Sequence, residues 1–586
     1  MSEVGAEREQ GPVITRRQLD LLERAADPAG VRTLVVICDD RPVVLGRRLR
    51  ERYPEAALTV LSEGRRPEVS NLAFGLLRFD DDRDVLRALA GLVPADLIVD
   101  LRAGRPAAVR RTFHRAFLTL ADGGRYVARQ EPHLRPDDGD LVDEVRELAR
   151  RKSLPTPERR ALSSALELGL GGALDGASLD DFFLTLRKSG EHVVKLDVDD
   201  TRAALAARGV EPRVIARVAP ERRTSASTVW SSDPRLAAER LDPTIEVGEL
   251  TCTVYEGVLV APQQVAVLER LLLPTSYFLP WQEARKTFGM RYHGPDFSVL
   301  RDAGEPVDLP GTYYHLDNQV PGHYGHVITH DLSKLWAWDA ALVEHPDLKV
   351  LVSPAVESGE VPAYTYELLE AFGIGRDRVH VITGPVRAER LVTATQAFQQ
   401  PRFLSPVARD VWARVVAGLL PRAGDDPLPQ RVFVSRRAAA RRRCLNGDEV
   451  ERRFRKAGFT VVYPEDLSLP DQARLFSTVP TIAGYAGSGL INTVFSAGPA
   501  TRVVLASKSY WATNEFHIAA LYGGDLHYFW CDPVRPGDQP AQDGERYNPF
   551  HADYVFDVER DGPALGTLLR SLAPRRMFGL SRSGTR

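Results

Sequence analysis

Two parts of the chain alternate between short apolar runs and amphipathic helical stretches. In the first part, VRTLVVIC (31–38) and ADLIVDLR (95–102) are rich in β-branched residues and predict buried parallel strands. A helix is predicted over 107–120, and a Gly-Gly turn leads from it into a further strand, RYVARQE (125–131). Strands that alternate with helices in this way indicate a doubly wound, Rossmann-like α/β domain.

The alternation resumes in the C-terminal half. Strands are predicted at QRVFVSR (430–436), FTVVYP (459–464) and TRVVLAS (501–507), each followed by a helical pattern. Two facing α/β lobes with a cleft between them are the simplest architecture for this half. The stretch between the two α/β parts is highly charged and is predicted to be helical, with STVWSSDPRLAAERLDP (227–243) as loop and linker. The predicted divisions are a flexible N-terminus at 1–29, the Rossmann-like domain at 30–136, a helical and linker region at 137–243, a first lobe at 244–420, a second lobe at 421–575 and a basic tail at 576–586.

Composition narrows the classes of function. The 586 residues are 44% hydrophobic and 26% charged, which is typical of a soluble globular protein. The formal net charge of −3 gives no reason to expect a nucleic-acid partner. Four widely spaced cysteines form no CxxC pair, so no zinc knuckle or disulfide framework is indicated. No apolar run approaches the ~20 residues that cross a bilayer, and we interpret the protein as cytoplasmic. The basic tail is compatible with contact at a membrane surface, and the oligomeric state stays open.

A glycine-rich turn lies in the second predicted lobe. The stretch TIAGYAGSGLINTVFSAG (481–498) predicts a strand, a turn with three glycines, and a helix. Glycine removes the Cβ and exposes backbone N–H groups at the positive end of the following helix. The spacing matches neither a P-loop nor G-x-G-x-x-G. The turn therefore either packs closely against a neighbouring element or receives a charged ligand.

Arginines cluster upstream of this turn. The stretch SRRAAARRRCLNGDEVERRF (435–454) places Arg436 and Arg437 at the carboxyl end of a strand and a second group, 441–443, just before a helix. Guanidinium groups present a rigid fork that fits phosphate oxygens. Because strand ends face the cleft of an open α/β sheet, Arg436 and Arg437 are predicted to bind a ligand. The second group is either part of the same anion site or an exposed basic loop.

Taken together, the two stretches resemble glycosyltransferase family 61. The resemblance implies a two-lobed GT-B fold and an inverting, metal-independent hexosyl or pentosyl transfer. It also implies a nucleotide-sugar donor as substrate, no cofactor, and a glycan or small-molecule acceptor, with surface polysaccharide synthesis as the expected context. The matching residues follow in order: Ser435 and Arg436, an arginine within 441–443, NGDE at 446–449, GF at 458–459, PEDLSLPDQ at 464–472 and GYAGSGLIN at 484–492. By the same resemblance, the donor is bound by Ser435, Arg436, Arg437, Arg442, Gly487, Ser488, Gly489 and Asn492.

A histidine-rich stretch carries the acceptor side of the resemblance. In GHYGHVITHDLSKLWAW (322–338), His326 falls on the family histidine and His330 on the family's acidic position, with Asp331 one residue later. An inverting transfer needs a base with a pKa near the working pH, so His326, His330 and Asp331 are the catalytic candidates. His326 and His330 stand four residues apart and could bind zinc, but no third ligand or HExxH motif accompanies them. A structural histidine is the remaining alternative for His326.

Departures from the family pattern leave a second function open. The histidine of the family's glycine motif is replaced by Ala486, the acidic position after the histidine stretch by His330, and a strand glutamate by Leu505, and the alanine of the glycine motif is replaced by Ser488. Lost polar positions favour a non-catalytic protein that binds a nucleotide sugar or glycan. The N-terminal part also resembles the latter half of class I methyltransferases. After its first strand, however, CDDRPVVLG (38–46) has no glycine before Gly46, so we expect no tight binding of S-adenosylmethionine.

Overall fold

The computed structural model describes residues 14–25, 28–39, 41–63, 72–102, 106–130, 140–301, 304–437, 441–534 and 548–573. The first thirteen residues of the predicted flexible N-terminus and the predicted tail at 576–586 lie outside these ranges. The chain forms two compact units. Unit 1 comprises 1–212, 257–308 and 384–387, and unit 2 comprises 213–256, 309–383 and 388–586. Within the described part of the chain, no helix combines the length and the apolar character needed to cross a bilayer.

Unit 1 is built on a twisted sheet with the strand order β3-β2-β1-β4-β5-β7-β6. The first five strands are parallel, as the alternating pattern predicted, and β7 and β6 add an antiparallel edge. Labels follow chain order through both units. The sheet strands are β1 Thr33–Cys38, β2 Ala57–Glu63, β3 Gly75–Phe79, β4 Leu97–Asp100, β5 Arg125–Arg129, β6 Leu174–Leu179 and β7 Phe183–Lys188. Shorter strands are β8 Val193–Lys195, β14 Val265–Leu268, β15 Leu271–Leu272, β16 Met290–Tyr292 and β17 Phe297–Leu300. The helices are α1 Arg16–Ala25, α2 Pro42–Arg52, α3 Asp82–Ala90, α4 Pro106–Ala116, α5 Leu141–Lys152, α6 Thr156–Leu162, α7 Ala165–Ala173 and α8 Val198–Ala207.

Unit 2 carries the second parallel sheet, with the order β11-β28-β27-β26-β24-β25. Its strands β24 to β28 supply the ends that bear the arginines and the glycine turn. Its strands are β9 Arg213–Val218, β10 Glu221–Thr224, β11 Ser227–Ser231, β12 Thr244–Val247, β19 Lys349–Val352, β20 Val379–Val381, β22 Phe398–Gln399, β23 Phe403–Leu404, β24 Arg431–Val434, β25 Thr460–Val462, β26 Thr481–Tyr485, β27 Thr501–Ser507, β28 Gly524–Pro533 and β29 Tyr554–Val555. Three strands, β13 Leu250–Ala261, β18 Val307–His315 and β21 Val386–Ala394, contain residues of both units. Helices are α9 Pro234–Arg240, α10 Tyr324–His326, α11 Trp338–Glu344, α12 Ala363–Phe372, α13 Val407–Leu419, α14 Gly447–Lys456, α15 Leu469–Thr478, α16 Ser488–Ile491, α17 Asn514–Tyr522 and α18 Gly562–Ser571.

One hydrophobic core runs through unit 2. It includes buried tryptophans from both predicted lobes, among them Trp338, Trp412 and Trp530. Side chains of α13 and α15, which come from opposite sides of the predicted boundary at residue 420, belong to this core. Residues before and after that boundary are therefore held in one compact body.

The region 137–243 departs from its prediction. It contains β6 and β7, which extend the sheet of unit 1, so it is not purely helical. The stretch predicted to be loop and linker forms β11, which pairs in parallel with β28, and α9. Trp230 of β11 packs against Phe529, with ring centroids 5.0 Å apart. These strands are stabilised by partners far away in sequence, which a local pattern does not show.

Candidate active site

Each glycine of the turn between β26 and α16 has a neighbour that explains it. A Cβ on Gly484 would lie 2.6 Å from the Val434 carbonyl oxygen, and one on Gly489 would lie 3.0 Å from Val434 Cγ1. Gly487 has φ +125°, and a Cβ there would collide with the Arg436 guanidinium. Two of the glycines therefore allow close packing on β24, and the third makes room for an arginine.

Arg436 follows β24, and its guanidinium packs against this turn. Its Nη2 donates a hydrogen bond to the Ala486 carbonyl oxygen. Burial lowers the pKa of Arg436 from its ordinary 12.5, but arginine stays protonated in proteins. No carboxylate of the described residues forms an ion pair with it. The positive charge is thus half-buried, held against the turn and without a salt bridge among the described residues.

Arg442 brings a second guanidinium to the same place. Its Nη2 would lie 3.5 Å from a Cβ on Gly487, and its guanidinium carbon lies 5.3 Å and 5.0 Å from the ring centroids of Tyr510 and Phe550. Its backbone has φ 57°, in the left-handed region. Cation–π contacts with two rings hold this side chain in position without neutralising its charge. Arg436 and Arg442 together form a pair of cations at the glycine turn.

The neighbouring polar side chains after β24 are paired with carboxylates. Arg437 forms a bidentate ion pair with Asp466, and Arg443 donates from Nε and Nη2 to the single oxygen Oδ2 of Asp553, at 2.9 and 2.6 Å. The Ser435 hydroxyl donates to Glu451 Oε1 at 2.5 Å. Of the predicted donor-binding groups after β24, only Arg436 and Arg442 therefore lack a carboxylate partner among the described residues.

An open cavity of about 610 Å³ lies beside these strand ends. Its walls carry four arginines and two carboxylates, so the local charge is positive. A phosphate-bearing ligand is the kind of molecule that such a wall attracts. The charged lining residues are Arg436, Arg437, Arg442, Arg443, Asp448 and Glu451.

A buried carboxylate that the sequence analysis missed also touches the turn. Glu515 is 1% exposed, and its Oε1 accepts a hydrogen bond from the Gly487 N–H at 2.7 Å. Its Oε2 has no hydrogen-bond partner in the described structure. Burial raises the pKa of Glu515, while backbone hydrogen bonds and the two arginines oppose that rise. Its one sequence signal is an acid inside an otherwise mainly apolar helix, NEFHIAALY, whose residues are all buried.

The helix after the turn corrects one part of the prediction. α16 has only four residues and continues as a short 3-10 segment. A helix of that length has little macrodipole, so the positive character of the site comes from Arg436 and Arg442 rather than from a helix N-terminus. The Ser488 backbone opens this short helix, and Gly489 and Asn492 serve packing and hydrogen bonding within the unit.

Three histidines run from the surface into unit 2. His323 is exposed, His326 is half-buried and His330 is 3% exposed. Successive ring centroids are 4.9 Å and 4.6 Å apart, and the Nδ1 atoms of His326 and His330 are 3.3 Å apart. Burial lowers the pKa of His330 to about 3 and that of His326 well below 6.5, with smaller effects of neighbouring cationic groups. All three rings, which we call the histidine file, are predicted to be neutral at neutral pH.

A π-helical turn over Val327–Asp331 follows the half-buried histidine. Such a turn contains one residue more than an α-helical turn, and π-bulges are frequent at functional sites. It brings Asp331 into a buried polar cluster in which Asn318 Nδ2 donates to Asp331 Oδ2 at 2.6 Å and Lys334 Nζ lies 3.9 Å from Oδ1. Burial raises the pKa of Asp331. In the sequence, Asp331 stands one residue after the position of the family's acidic residue, which is His330. The extra residue of the π-helical turn lies in this same segment.

The histidine file and the glycine turn meet in unit 2. A Cβ on Gly325 would lie 3.1 Å from the Ser488 hydroxyl oxygen. Tyr324 donates a hydrogen bond to Asn492 Oδ1 at 2.6 Å, and the Asn492 amide donates to Gln472 at 2.9 Å. Asn492 therefore links the histidine segment to the turn, and both polar atoms of its side chain are used in these hydrogen bonds. Within the described residues, no three His, Cys, Asp or Glu side chains form a cluster suited to a metal ion.

Two guanidinium groups and a glycine turn thus lie at the strand ends of a parallel sheet, next to a histidine segment. Residues 324–504, which hold the histidine file and the glycine turn, match the family model described as Glycosyltransferase 61. The match lies where the motifs predicted a resemblance to this family. No sequence among the curated proteins matches the chain.

Several solved structures match part of the chain. One is the MycE methyltransferase from the mycinamycin biosynthetic pathway in complex with Mg, SAH and mycinamycin VI, at 16% identity and a TM-score of 0.25, covering 29% of this chain and 48% of that one. Another is an O-methyltransferase family protein from Burkholderia thailandensis, at 13% identity and a TM-score of 0.18, covering 30% of this chain and 57% of that one. The chain therefore spans about half the length of these structures.

Proposed function

We propose that unit 2 is an inverting, metal-independent glycosyltransferase of GT-B type. It moves a hexosyl or pentosyl group from a nucleotide-sugar donor to a hydroxyl of a glycan or small molecule. The observation that supports this proposal is the meeting of Arg436, Arg442 and the Gly487 turn with the histidine file inside a region of glycosyltransferase 61 type. Cations without carboxylate partners suit the donor diphosphate, and a ring nitrogen suits the acceptor.

On the donor side, the two arginines act on the departing nucleotide diphosphate. As the bond between the sugar C1 and the phosphate oxygen breaks, the oxygen keeps the electron pair and gains negative charge. Fixed guanidinium groups stabilise that charge more in the transition state than in the substrate, which is the condition for faster reaction. Arg436 and Arg442 are held by the turn and by two aromatic rings, so little reorganisation is needed.

On the acceptor side, His326 is the base in this proposal. It is half-buried, whereas His330 and Asp331 lie deeper at 3% and 6% exposure. The acceptor hydroxyl gives its proton to the ring while its oxygen bonds to C1 of the sugar. Because burial lowers the pKa of His326 well below 6.5, the ring is neutral throughout the neutral range, and it is a weaker base than a histidine with an ordinary pKa. His330 then stands behind it in the histidine file, and Asp331 is the alternative base.

A second function is favoured by the departures from the family pattern. Ala486 and Leu505 are buried, at 6% and 0% exposure, and neither has a polar side chain. These two positions support a protein that binds a nucleotide sugar or glycan without transfer. A cytoplasmic location is part of both proposals, and the four free cysteines are consistent with it.

Turnover of a nucleotide-sugar panel, measured with acceptor mixtures derived from surface glycans and from small metabolites, tests the two functions against each other. Transfer that disappears in Arg436→Ala and in His326→Ala supports the enzyme. Saturable binding of a nucleotide sugar without any hydrolysis or transfer supports the binding protein. Wild-type activity in both variants would contradict the proposed site.

A further inference from the structure

Unit 1 contains a larger cavity with a distinct set of lining residues. Its volume is about 1150 Å³, and it is bordered by α6, α7, the loop after β7 and the hairpin of β16 and β17. All of its lining residues belong to unit 1, and none of them is in the region that matches the family model.

The walls of this cavity are strongly basic. Five cationic side chains line it against one carboxylate, Glu191, a difference of 5 − 1 = +4, although the whole chain has a net charge of −3. In the described part of the chain, none of the five forms an ion pair. Like charges gathered without counter-charges repel one another, and a bound anion would remove that cost. The five are Arg159, Arg160, Lys286, Arg291 and Arg301.

Two buried histidines in the lining give a second, independent sign of a ligand. His192 is 5% exposed and His293 is 9% exposed, and their ring centroids are 5.4 Å apart. Both ring nitrogens of His192 and the Nδ1 of His293 have no hydrogen-bond partner among the described residues. Buried polar groups are nearly always hydrogen-bonded, because an unmet donor or acceptor costs about 1–3 kcal/mol. A ligand in the cavity would supply the missing partners.

The close fit around His293 indicates that its position is built into the fold. A Cβ on Gly169 of α7 would lie 2.8 Å from the Cβ and Cγ of His293, so only glycine leaves room for the ring. Gly172, one helical turn later and also in the lining, has open space around it. Phe288 also lines the cavity and is 37% exposed, with its ring centroid 4.9 Å from that of Phe278.

We propose that this cavity of unit 1 binds a phosphorylated small molecule of nucleotide size. The basic rim holds the phosphate groups, the two histidines complete the hydrogen bonds, and Phe288 contacts a planar ring. Phosphate fits this wall because arginine forks bind its oxygens in a bidentate way. The site is separate from the donor site of unit 2 and does not depend on the function proposed for it.

Calorimetric titration of the full chain with inorganic pyrophosphate and with ADP tests this proposal. The background is the double variant Arg436→Ala/Arg442→Ala, which removes the cations of the unit 2 site. Arg160→Glu and Arg291→Glu change exposed side chains and leave the core intact. Arg47→Glu is the matched control, because Arg47 is an exposed arginine of unit 1 outside the cavity.

We expect saturable pyrophosphate binding in the background, weakened about tenfold or more by either cavity reversal and unchanged by Arg47→Glu. ADP should bind more tightly than pyrophosphate, and Phe288→Ala should remove that difference. His192→Ala with an unchanged melting temperature should also weaken both ligands. Absence of binding in the background, or equal weakening by Arg47→Glu, would overturn the proposal. Equal affinities for ADP and pyrophosphate would refute the ring contact and reduce the site to an anion site.

Discussion

Replacing Arg436 by alanine separates the donor site from the basic surface around it. Arg436 and Arg437 are neighbours in sequence, and both were predicted to bind the donor. The structure places Arg436 against the glycine turn without a carboxylate partner among the described residues, whereas Arg437 is exposed and paired with Asp466. Arg436→Ala should therefore weaken nucleotide diphosphate binding, and Arg437→Ala should leave it unchanged.

The expected loss follows from the state of the guanidinium. A hydrogen bond to a charged group contributes about 1.5–3 kcal/mol, which corresponds to about 10- to 150-fold in the dissociation constant. Arg436 is half-buried, so water screens its field only in part. The exposed ion pair of Arg437 is screened by water and adds little to stability, and we expect it to have no part in binding.

The assay is calorimetric titration of the wild type and both variants with a panel of nucleotide diphosphates. Melting temperatures serve as the control for folding, since Arg436→Ala also leaves the Ala486 carbonyl oxygen without that donor. Equal affinities for wild type and a folded Arg436→Ala would refute the assignment. Equal losses in the two variants would show that general basic charge, and not the fixed Arg436, attracts the ligand.

Four further predictions concern the turn, the base, the pH profile and unit 1. Gly487→Ala should lower nucleotide affinity at least about tenfold, because the added Cβ displaces Arg436. Gly498 has open space around it, so Gly498→Ala should leave the affinity unchanged. Calorimetry distinguishes the two variants, and equal affinities would contradict the packing of Arg436 on the turn. His326→Ala should lower transfer by about 10²–10⁴-fold while nucleotide binding is kept, and a wild-type rate would make Asp331 the candidate base. Activity is lost as a general base becomes protonated. With His326 as the base, the acid limb of the kcat/KM profile should lie well below pH 6.5. An acid limb above pH 6.5 would favour Asp331, because burial raises the pKa of that carboxyl. Titration of the full chain with S-adenosylmethionine should give no micromolar binding, because no glycine loop follows β1 and because Asp100, at the carboxyl end of β4, is held in a buried hydrogen-bonded cluster with Arg102 and Tyr126.

Local patterns were sufficient for several of the parallel strands in both sheets. β1, β4 and β27 are continuous apolar runs that need burial on both faces, and the structure buries nearly every residue in them. β11 could not be found in this way. STVWS is short, flanked by serines, and its residues become a strand only because β28, about three hundred residues later in the chain, offers a free edge.

The sequence predicts where the candidate site lies but not which residues pair with its side chains. The strand end and the spacing were enough to place Arg436 near the turn. The ion pairs that commit Arg437 and Arg443 depend on Asp466 and Asp553, and no pattern in one stretch reveals a partner in another. The same holds for Asn492, which fits a family motif but binds Tyr324 and Gln472. The π-helical turn at Val327–Asp331 likewise depends on tertiary contacts around the histidine file.

Glu515 changes the meaning of the departures from the family pattern. Leu505 replaces a family glutamate on β27 and is fully buried, which alone would indicate a lost polar group. α17 nevertheless brings the carboxylate of Glu515 to the Gly487 N–H, so the turn keeps an acid that comes from a different element. One carboxylate beside two guanidinium groups leaves a net positive site, which still favours a diphosphate. An unpaired Oε2 in a buried position also leaves an acceptor for a sugar hydroxyl of the donor. The substitution at Leu505 is therefore a weaker sign of lost activity than the sequence alone suggests.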